Sequence, residues 1–341
     1  MNKMVIDKKI KQFCVLSYIK TGKVPDLETV STEAHRFYNK LYWNRPDIFD
    51  IIPKNKHIER MKLIEARLEA FDITEYDKYI SEIYENRIFP LFESIENNLL
   101  HTTGKPEKSK YNLFTTTGRP SNSNGGINYA AINKEDGSRE RFVSRYNDGK
   151  LVEMDFDAYH IRLIGSLIDY KLPSTSVHEY FAKQFYGVEN VTKEEYAQSK
   201  AMSFQVLYGG VPKELESIEY FSKTKAYIFK LWDTYNYKGY IETPIFKRRL
   251  YKENYLDMNP QKLFNYLIQA FETESNICTM EKVMKFLEGK DTKLILYTYD
   301  AFLFDVPSSE SKIIKKIKNI MDYPIKMHYG KNYNDMELLG S

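Results

Sequence analysis

The chain has 341 residues, enough to bury a substantial core as one large domain or as two to three lobes. Its net charge of +3 is nearly neutral, which rules out attraction to polyanions through overall charge and leaves only local basic patches for that purpose. The two cysteines, Cys14 and Cys278, make neither a disulfide framework nor a zinc site; with no signal peptide and no apolar run long enough to span a bilayer, the expectation is a cytoplasmic protein with no membrane partner.

Residues 1–110 read as helical. Apolar positions recur with helical spacing over Val5–Lys20, Leu27–Tyr42, Ile58–Phe71 and Tyr76–Leu100, and Lys23–Pro25 interrupts them. Basic residues recur along this region and through the loop Thr102–Lys110. They suit either a bundle with a solvated charged face or an arm that grips a phosphate backbone. In Thr115–Ser123, TTTGRPSNS, Gly118 and Pro120 make a turn from which Arg119 projects; a lone arginine there is ordinarily just solvated.

The stretch Leu151–Ile168, LVEMDFDAYHIRLIGSLI, predicts a short strand running into a helix. Val152, Met154 and Phe156 fall on one face of the strand, and Leu151, Glu153 and Asp155 on the other. Asp157 is expected to cap the helix, which buries Ile161, Leu163, Ile164 and Leu167. An aspartate at the end of a buried strand is rigidly held, and its oxygens suit a hard divalent cation. His178, in the connector that follows, would by itself be an ordinary packed histidine.

Thr192–Gly210, TKEEYAQSKAMSFQVLYGG, has the clearest helix signature. Thr192 and Glu195 form a capping box, and Gly209-Gly210 with Pro212 stop the helix. Tyr196, Lys200, Phe204 and Tyr208 recur every four residues as one stripe. A lysine among three aromatics fits a surface that meets a triphosphate, base and sugar better than it fits plain core. Lys238–Lys252 carries a short strand and then the cluster Lys247, Arg248, Arg249 and Lys252, either a solvated edge or a track for a phosphate backbone. Asn259-Pro260 opens a helix with Asn265 and Gln269 one turn apart, amides that can reach the acceptors every base pair presents in a minor groove.

Lys293–Val306, KLILYTYDAFLFDV, reads as a hairpin with Tyr299-Asp300 at its tip. Two strand-borne acids, Asp155 and Asp300, brought side by side repel unless cations separate them. That is the minimal requirement for phosphoryl transfer with two metals about 3.5–4 Å apart. A basic amphipathic helix is predicted over Ser309–Met321, before the terminal MHYGKNYNDMELL.

Taken in order, these motifs resemble the polymerase module of family A DNA polymerases, over about the C-terminal two thirds of the chain from Tyr111 onward. TTTGRPSNS resembles the segment TxTGRxSS, MDFDAYHIR the motif DYSQIELR, and SVHEYF a DIH segment. SKAMSFQVLYGG resembles K-x3-F-x3-YG, GYIETPIFKRR resembles GYVETLxGRR, YTYDAFLFDV resembles VHDELVFEV, and YGKNYND resembles GxNW. The resemblance implies an α+β, right-hand polymerase fold with an antiparallel-sheet palm (residues 111–169 and 236–341), helical fingers (170–235) and a helical thumb-like region (1–110). It implies Asp155, Asp300 and the Phe156 carbonyl as ligands of two Mg²⁺ ions, with Mn²⁺ as a substitute. Lys200 would hold the triphosphate, Phe204 would lie over the incoming sugar, Tyr208 would guard the templating base, and His178 would lie near the phosphates. Arg119, Asn265, Gln269 and Tyr299, with Lys247, Arg248 and Arg249, would contact primer–template DNA.

The departures have chemical content. Tyr299-Asp300-Ala301 replaces His-Asp-Glu, so a third acid is missing. His160 replaces the glutamate that excludes a ribose 2′-OH, and Tyr196 replaces a triphosphate arginine, leaving Lys200 and His178 to carry that charge. The first 110 residues are too short for a proofreading exonuclease plus a thumb, so an exonuclease or processivity factor would be a separate partner. The expected activity is template-directed addition of dNTPs to a primer. The alternatives are a single-subunit RNA polymerase or primase-like enzyme and a degenerate DNA-binding subunit.

Overall fold

The computed structural model describes residues 80–97, 100–102, 106–107, 109–111, 115, 117–122, 127–133, 135–252 and 258–339. The chain divides into two compact units, Met1–Arg87 and Ile88–Ser341. The helices expected before Ile80, and most of the thumb-like region, lie outside the described residues. The expected helix over Tyr76–Leu100 is present in part, as the helical segment Ile80–Ile88 followed by α1, Phe89–Asn97. Pro90 lacks the N–H that would carry the preceding turns onward, so the helical pattern resets there.

The second unit is built on a five-stranded antiparallel sheet. β1 (Leu100–Thr102) pairs with β2 (Pro106–Glu107) and β3 (Phe142–Val143) in a small sheet of their own. The main sheet is centred on β4, Lys150–Phe156. Val152, Met154 and Phe156 on one face of β4 are buried, as is Leu151 on the other, while Glu153 and Asp155 beside Leu151 are only partly covered; the strand takes the central position in the sheet. Beyond β4 come α2 (Tyr159–Leu167), α3 (Val177–Tyr186), α4 (Lys193–Gly209) and α5 (Glu219–Lys238). A two-stranded ribbon, β5 (Tyr240–Glu242) with β6 (Arg249–Tyr251), precedes the long helix α6, Pro260–Leu287. The hairpin β7 (Lys293–Thr298) and β8 (Ala301–Val306), the short helix α7 (Ile313–Lys318), β9 (Ile325–Gly330) and β10 (Glu337–Leu338) complete the unit. The sheet order is β10-β9-β4-β8-β7.

Helix α6 is the axis of the helical layer. Its start is set by Asn259, whose side chain accepts from Lys262 N–H at 2.8 Å, and by Pro260 in the first turn. It packs on α2, α4 and α5. Ile161, Ile164, Phe181, Val206, Phe221, Phe264 and Ile268, drawn from five helices, share one apolar cluster. Each such side chain contributes about 1.5–3 kcal/mol on burial, so the layer is held mainly by apolar packing. The α+β class and the antiparallel sheet agree with expectation.

Two expectations are corrected. Asp157 does not cap α2: the capping position is Ala158, in a left-handed conformation (φ 50°) and without a side-chain bond. Asp157 is drawn instead to two cations, Lys326 Nζ at 2.6 Å and Arg162 Nη2 at 3.4 Å. The helix predicted over Ser309–Met321 shrinks to Ile313–Lys318. Glu310 turns back to accept from the N–H groups of Asp291 and Thr292, which fixes the preceding residues in a tighter turn.

Candidate active site

The two acids fall at one end of the sheet, Asp155 near the end of β4 and Asp300 in the turn between β7 and β8. In the β4–β8 ladder Asp155 lies opposite Ala301, and Phe156 N–H donates to the Asp300 carbonyl at 3.0 Å. Asp300 follows Tyr299, whose left-handed backbone (φ 57°) makes the sharp hairpin tip. The tip is pinned from behind by Asn276 of α6, which is fully buried. Its amide nitrogen donates to the Tyr299 carbonyl at 2.6 Å and to the Tyr297 hydroxyl at 3.0 Å, and its oxygen accepts from the Tyr159 hydroxyl at 2.9 Å. Asp300 is open to solvent at its own surface but surrounded by protein at longer range. That desolvation, reinforced by the charge of Glu272, lifts its carboxyl above the ordinary range, while Arg119 and His160 oppose the lift.

Helix α6 supplies a polar stripe toward this end. Asn265, Gln269, Glu272 and Asn276 recur at helical spacing along it. Gln269 Nε2 donates to Asn265 Oδ1 at 2.9 Å, and Thr117 Oγ1 donates to Gln269 Oε1 at 3.2 Å, tying the TTTGRP turn to the helix. Gly118 closes that turn with φ 77°, where a Cβ would stand 2.8 Å from an Arg248 nitrogen. Arg119 then reaches Glu272 with two nitrogens, at 2.9 and 3.1 Å, and its guanidinium lies 3.9 Å from the Tyr299 ring centroid. His160 Nε2 is 3.3 Å from the same Glu272 carboxylate.

Helix α4 is capped by Thr192 and Glu195 as predicted. Its buried face is Ser199, Ser203 and Val206, so Lys200 and Phe204 point outward and the stripe is not core. Tyr208 lies in the helix, and its side chain is outside the described residues. His178 of α3 is buried between this stripe's rings, with Tyr196 at 5.8 Å and Phe204 at 5.9 Å. Burial pushes His178 down to about 4; Asp157 opposes this, and Lys200, Lys326 and Arg162 add to it. Burial therefore favours the neutral imidazole of His178 at neutral pH. Lys326, on β9 opposite Asp155 in the ladder, is half exposed, paired with Asp157 and within electrostatic range of Asp155 and Tyr196.

The basic cluster divides. Glu274, nearly buried, accepts from Ile245 and Phe246 N–H groups and fixes the loop before it. Arg248 sits against Gly118, beside Arg119. Arg249 pairs with Glu242 and lies over Tyr240, and Lys247 folds back onto the Pro244 carbonyl. The structure thus gathers Asp155, Asp300, Tyr299, His160, Arg119, Asn265 and Gln269 about α6 and the sheet end, with Lys200, Phe204 and Tyr196 grouped around His178. Sequence reasoning missed Glu272, Asn276 and Lys326. Extending the Asn265–Gln269 stripe by further turns would have found the first two; nothing local marks Lys326.

Among the described residues no cluster of three or more His, Cys, Asp or Glu side chains is arranged to hold a metal ion. Two carboxylate-bearing positions side by side at the sheet end, one with its charge disfavoured, still present hard oxygen donors that a divalent cation would relieve. The donor set fits such an ion with two acids rather than three.

A family model described as DNA polymerase family A matches residues 58–334. The chain is 25% identical to DNA polymerase I of Synechocystis sp., over 54% of this chain and 24% of that protein. It is 28% identical to DNA polymerase I of Streptococcus pneumoniae, over 55% of this chain and 25% of that one. The match thus spans about a quarter of each of these relatives' lengths. Among solved structures, the POL domain of Pol1 from M. smegmatis, in complex with DNA primer-template and dNTP, has a similar fold. Its TM-score is 0.59 at 17% identity, covering 97% of this chain and 65% of that one.

Proposed function

The chain belongs to DNA polymerase family A, and from that premise we propose that it adds dNTPs to a primer 3′-OH under the direction of a DNA template. The observation that carries this is the adjacency of Asp155 and Asp300 at the sheet end, with Arg119, Asn265 and Gln269 gathered beside them on α6. Asp155 and Asp300 would hold Mg²⁺, with the Phe156 carbonyl as a further oxygen donor. Bound there, the metal would favour the ionised primer hydroxyl and stabilise charge on the leaving pyrophosphate.

The chain's own groups do the rest. Lys200, exposed on α4, binds the triphosphate and places positive charge where pyrophosphate forms. Phe204, 36% exposed beside it, covers the incoming sugar and base. Arg119, held over Tyr299, reaches the primer end, and Asn265 and Gln269 read the shared minor-groove acceptors behind it. Residues 111–169 and 236–341 act as palm and 170–235 as fingers, with closure of α4 testing base-pair shape before chemistry. Partners are primer–template DNA and dNTPs.

The test is extension of a labelled primer by purified protein, with and without Mg²⁺, using each dNTP and rNTP singly. Template-matched dNTP addition that needs the metal is expected. Addition of rNTPs at an equal rate would favour the RNA polymerase-like alternative, which His160 at the sugar position raises. Tight primer–template binding with no addition would favour a degenerate DNA-binding subunit.

A further inference from the structure

We propose that Glu272 is the positioning residue for nucleotide selection, coupling Arg119 at the primer end to His160 at the sugar; the proposal rests on the polymerase activity put forward above. Glu272 is fully buried, on the α6 stripe between Gln269 and Asn276. A buried carboxylate without partners is strongly disfavoured, so its presence requires the groups around it. Those groups come from two separate parts of the chain. Arg119 arrives from the turn after Gly118, donates from Nη2 to Oε1 at 3.1 Å and brings Nε within 2.9 Å of Oε2 as an ion pair. His160 arrives from the first turn of α2 and lies 3.3 Å from Oε2, the oxygen that Arg119 Nε also meets.

One oxygen shared by two site groups makes their positions interdependent. Arg119 is constrained on its other side by the Tyr299 ring, one residue before Asp300. His160 is constrained by Tyr159 before it, which hydrogen-bonds Asn276. Glu272 is thus the common anchor for a cation beside the catalytic hairpin and for an imidazole beside the nucleotide. It touches neither metal nor substrate in this scheme and acts through those two side chains. A carboxylate in place of His160 would face Glu272 at close range and be repelled, so the residue tolerated at 160 depends on the acid at 272.

The experiment is single-nucleotide insertion on one primer–template by the full chain. It compares wild type, Glu272→Gln, His160→Glu, and His160→Glu combined with Glu272→Gln, measuring kcat and KM for a matched dNTP and the corresponding rNTP. Glu272→Gln is expected to narrow the dNTP-to-rNTP ratio of kcat/KM by about tenfold, chiefly through KM. His160→Glu is expected to be more damaging with Glu272 present than with Gln at 272, by about tenfold in kcat/KM. An unchanged sugar ratio in Glu272→Gln, or equal effects of His160→Glu in both backgrounds, would overturn the proposal. If Glu272→Gln does not fold, Glu272→Asp replaces it: the shortened acid should still narrow the ratio, and a wild-type ratio would overturn the proposal. A wild-type chain that extends no primer would defeat the polymerase assignment itself, and this proposal with it.

Discussion

The backbone N–H of Phe156 donates to the carbonyl of Asp300 at 3.0 Å, which joins the end of the central strand to the tip of a hairpin more than a hundred residues away. The residue before Phe156 and the residue that accepts this bond are the two acids of the site. Their proximity is therefore built into the sheet's register and does not depend on flexible side chains. A one-residue slip of β8 on β4 would shift the hairpin tip along the central strand and break this Phe156–Asp300 bond.

Asp300 should reduce the stability of the fold in return for function. Burial and Glu272 hold its carboxyl above the ordinary range. The unfolded chain therefore ionises it first, and stability falls as pH rises from the ordinary aspartate value through the raised one. Asp300→Asn removes that effect. In EDTA at neutral pH the variant should melt at a higher temperature than wild type, and the gap should close as pH falls below about 4. An Asn variant that melts lower at neutral pH would contradict this.

Asp157 behaves with the opposite sign. Burial raises its carboxyl, but the bond and charge of Lys326, then those of Arg162, outweigh that and hold it below the ordinary range. This contribution is present above the ordinary aspartate pKa and is lost as pH falls through the depressed value. Lys326→Ala should destabilise the fold at neutral pH and much less in strong acid. Urea midpoints across pH measure this; a destabilisation that does not depend on pH would assign Lys326 a packing role only.

Asn276→Ala removes the three hydrogen bonds that pin the hairpin tip. A loss of about 1–3 kcal/mol in urea unfolding is expected, with a fall in kcat because Asp300 is no longer held. Unchanged kcat in a folded variant would mean that the tip is fixed without Asn276.

Lys200→Ala should raise KM for dNTPs by about tenfold or more and change primer–template affinity little. His178→Gln should do neither through charge, since His178 is already neutral at neutral pH. Equal rises in KM for both variants would contradict that division of labour.

Much of this was legible in the sequence where one rule acts locally. Strand β4 follows from its alternation, α4 from the Thr192–Glu195 capping box, and the β7–β8 hairpin from two apolar runs around Tyr299-Asp300. What sequence could not supply was pairing across distance. Asp157 carries a helix-capping signature, yet Lys326, 169 positions further on, takes its carboxylate. Glu272 lies in a helix whose other buried positions are largely apolar, so a charge there looks like surface until Arg119 and His160 are brought to it.

Two acids jointly holding the catalytic metal is tested most directly by Mg²⁺-dependent single-nucleotide insertion in Asp155→Asn and Asp300→Asn, with primer–template affinity measured alongside by fluorescence anisotropy. Each variant should lose insertion by about a thousandfold or more at any Mg²⁺ concentration while binding DNA within about threefold of wild type. Either variant inserting nucleotide at the wild-type rate, with the wild-type Mg²⁺ dependence, would contradict it.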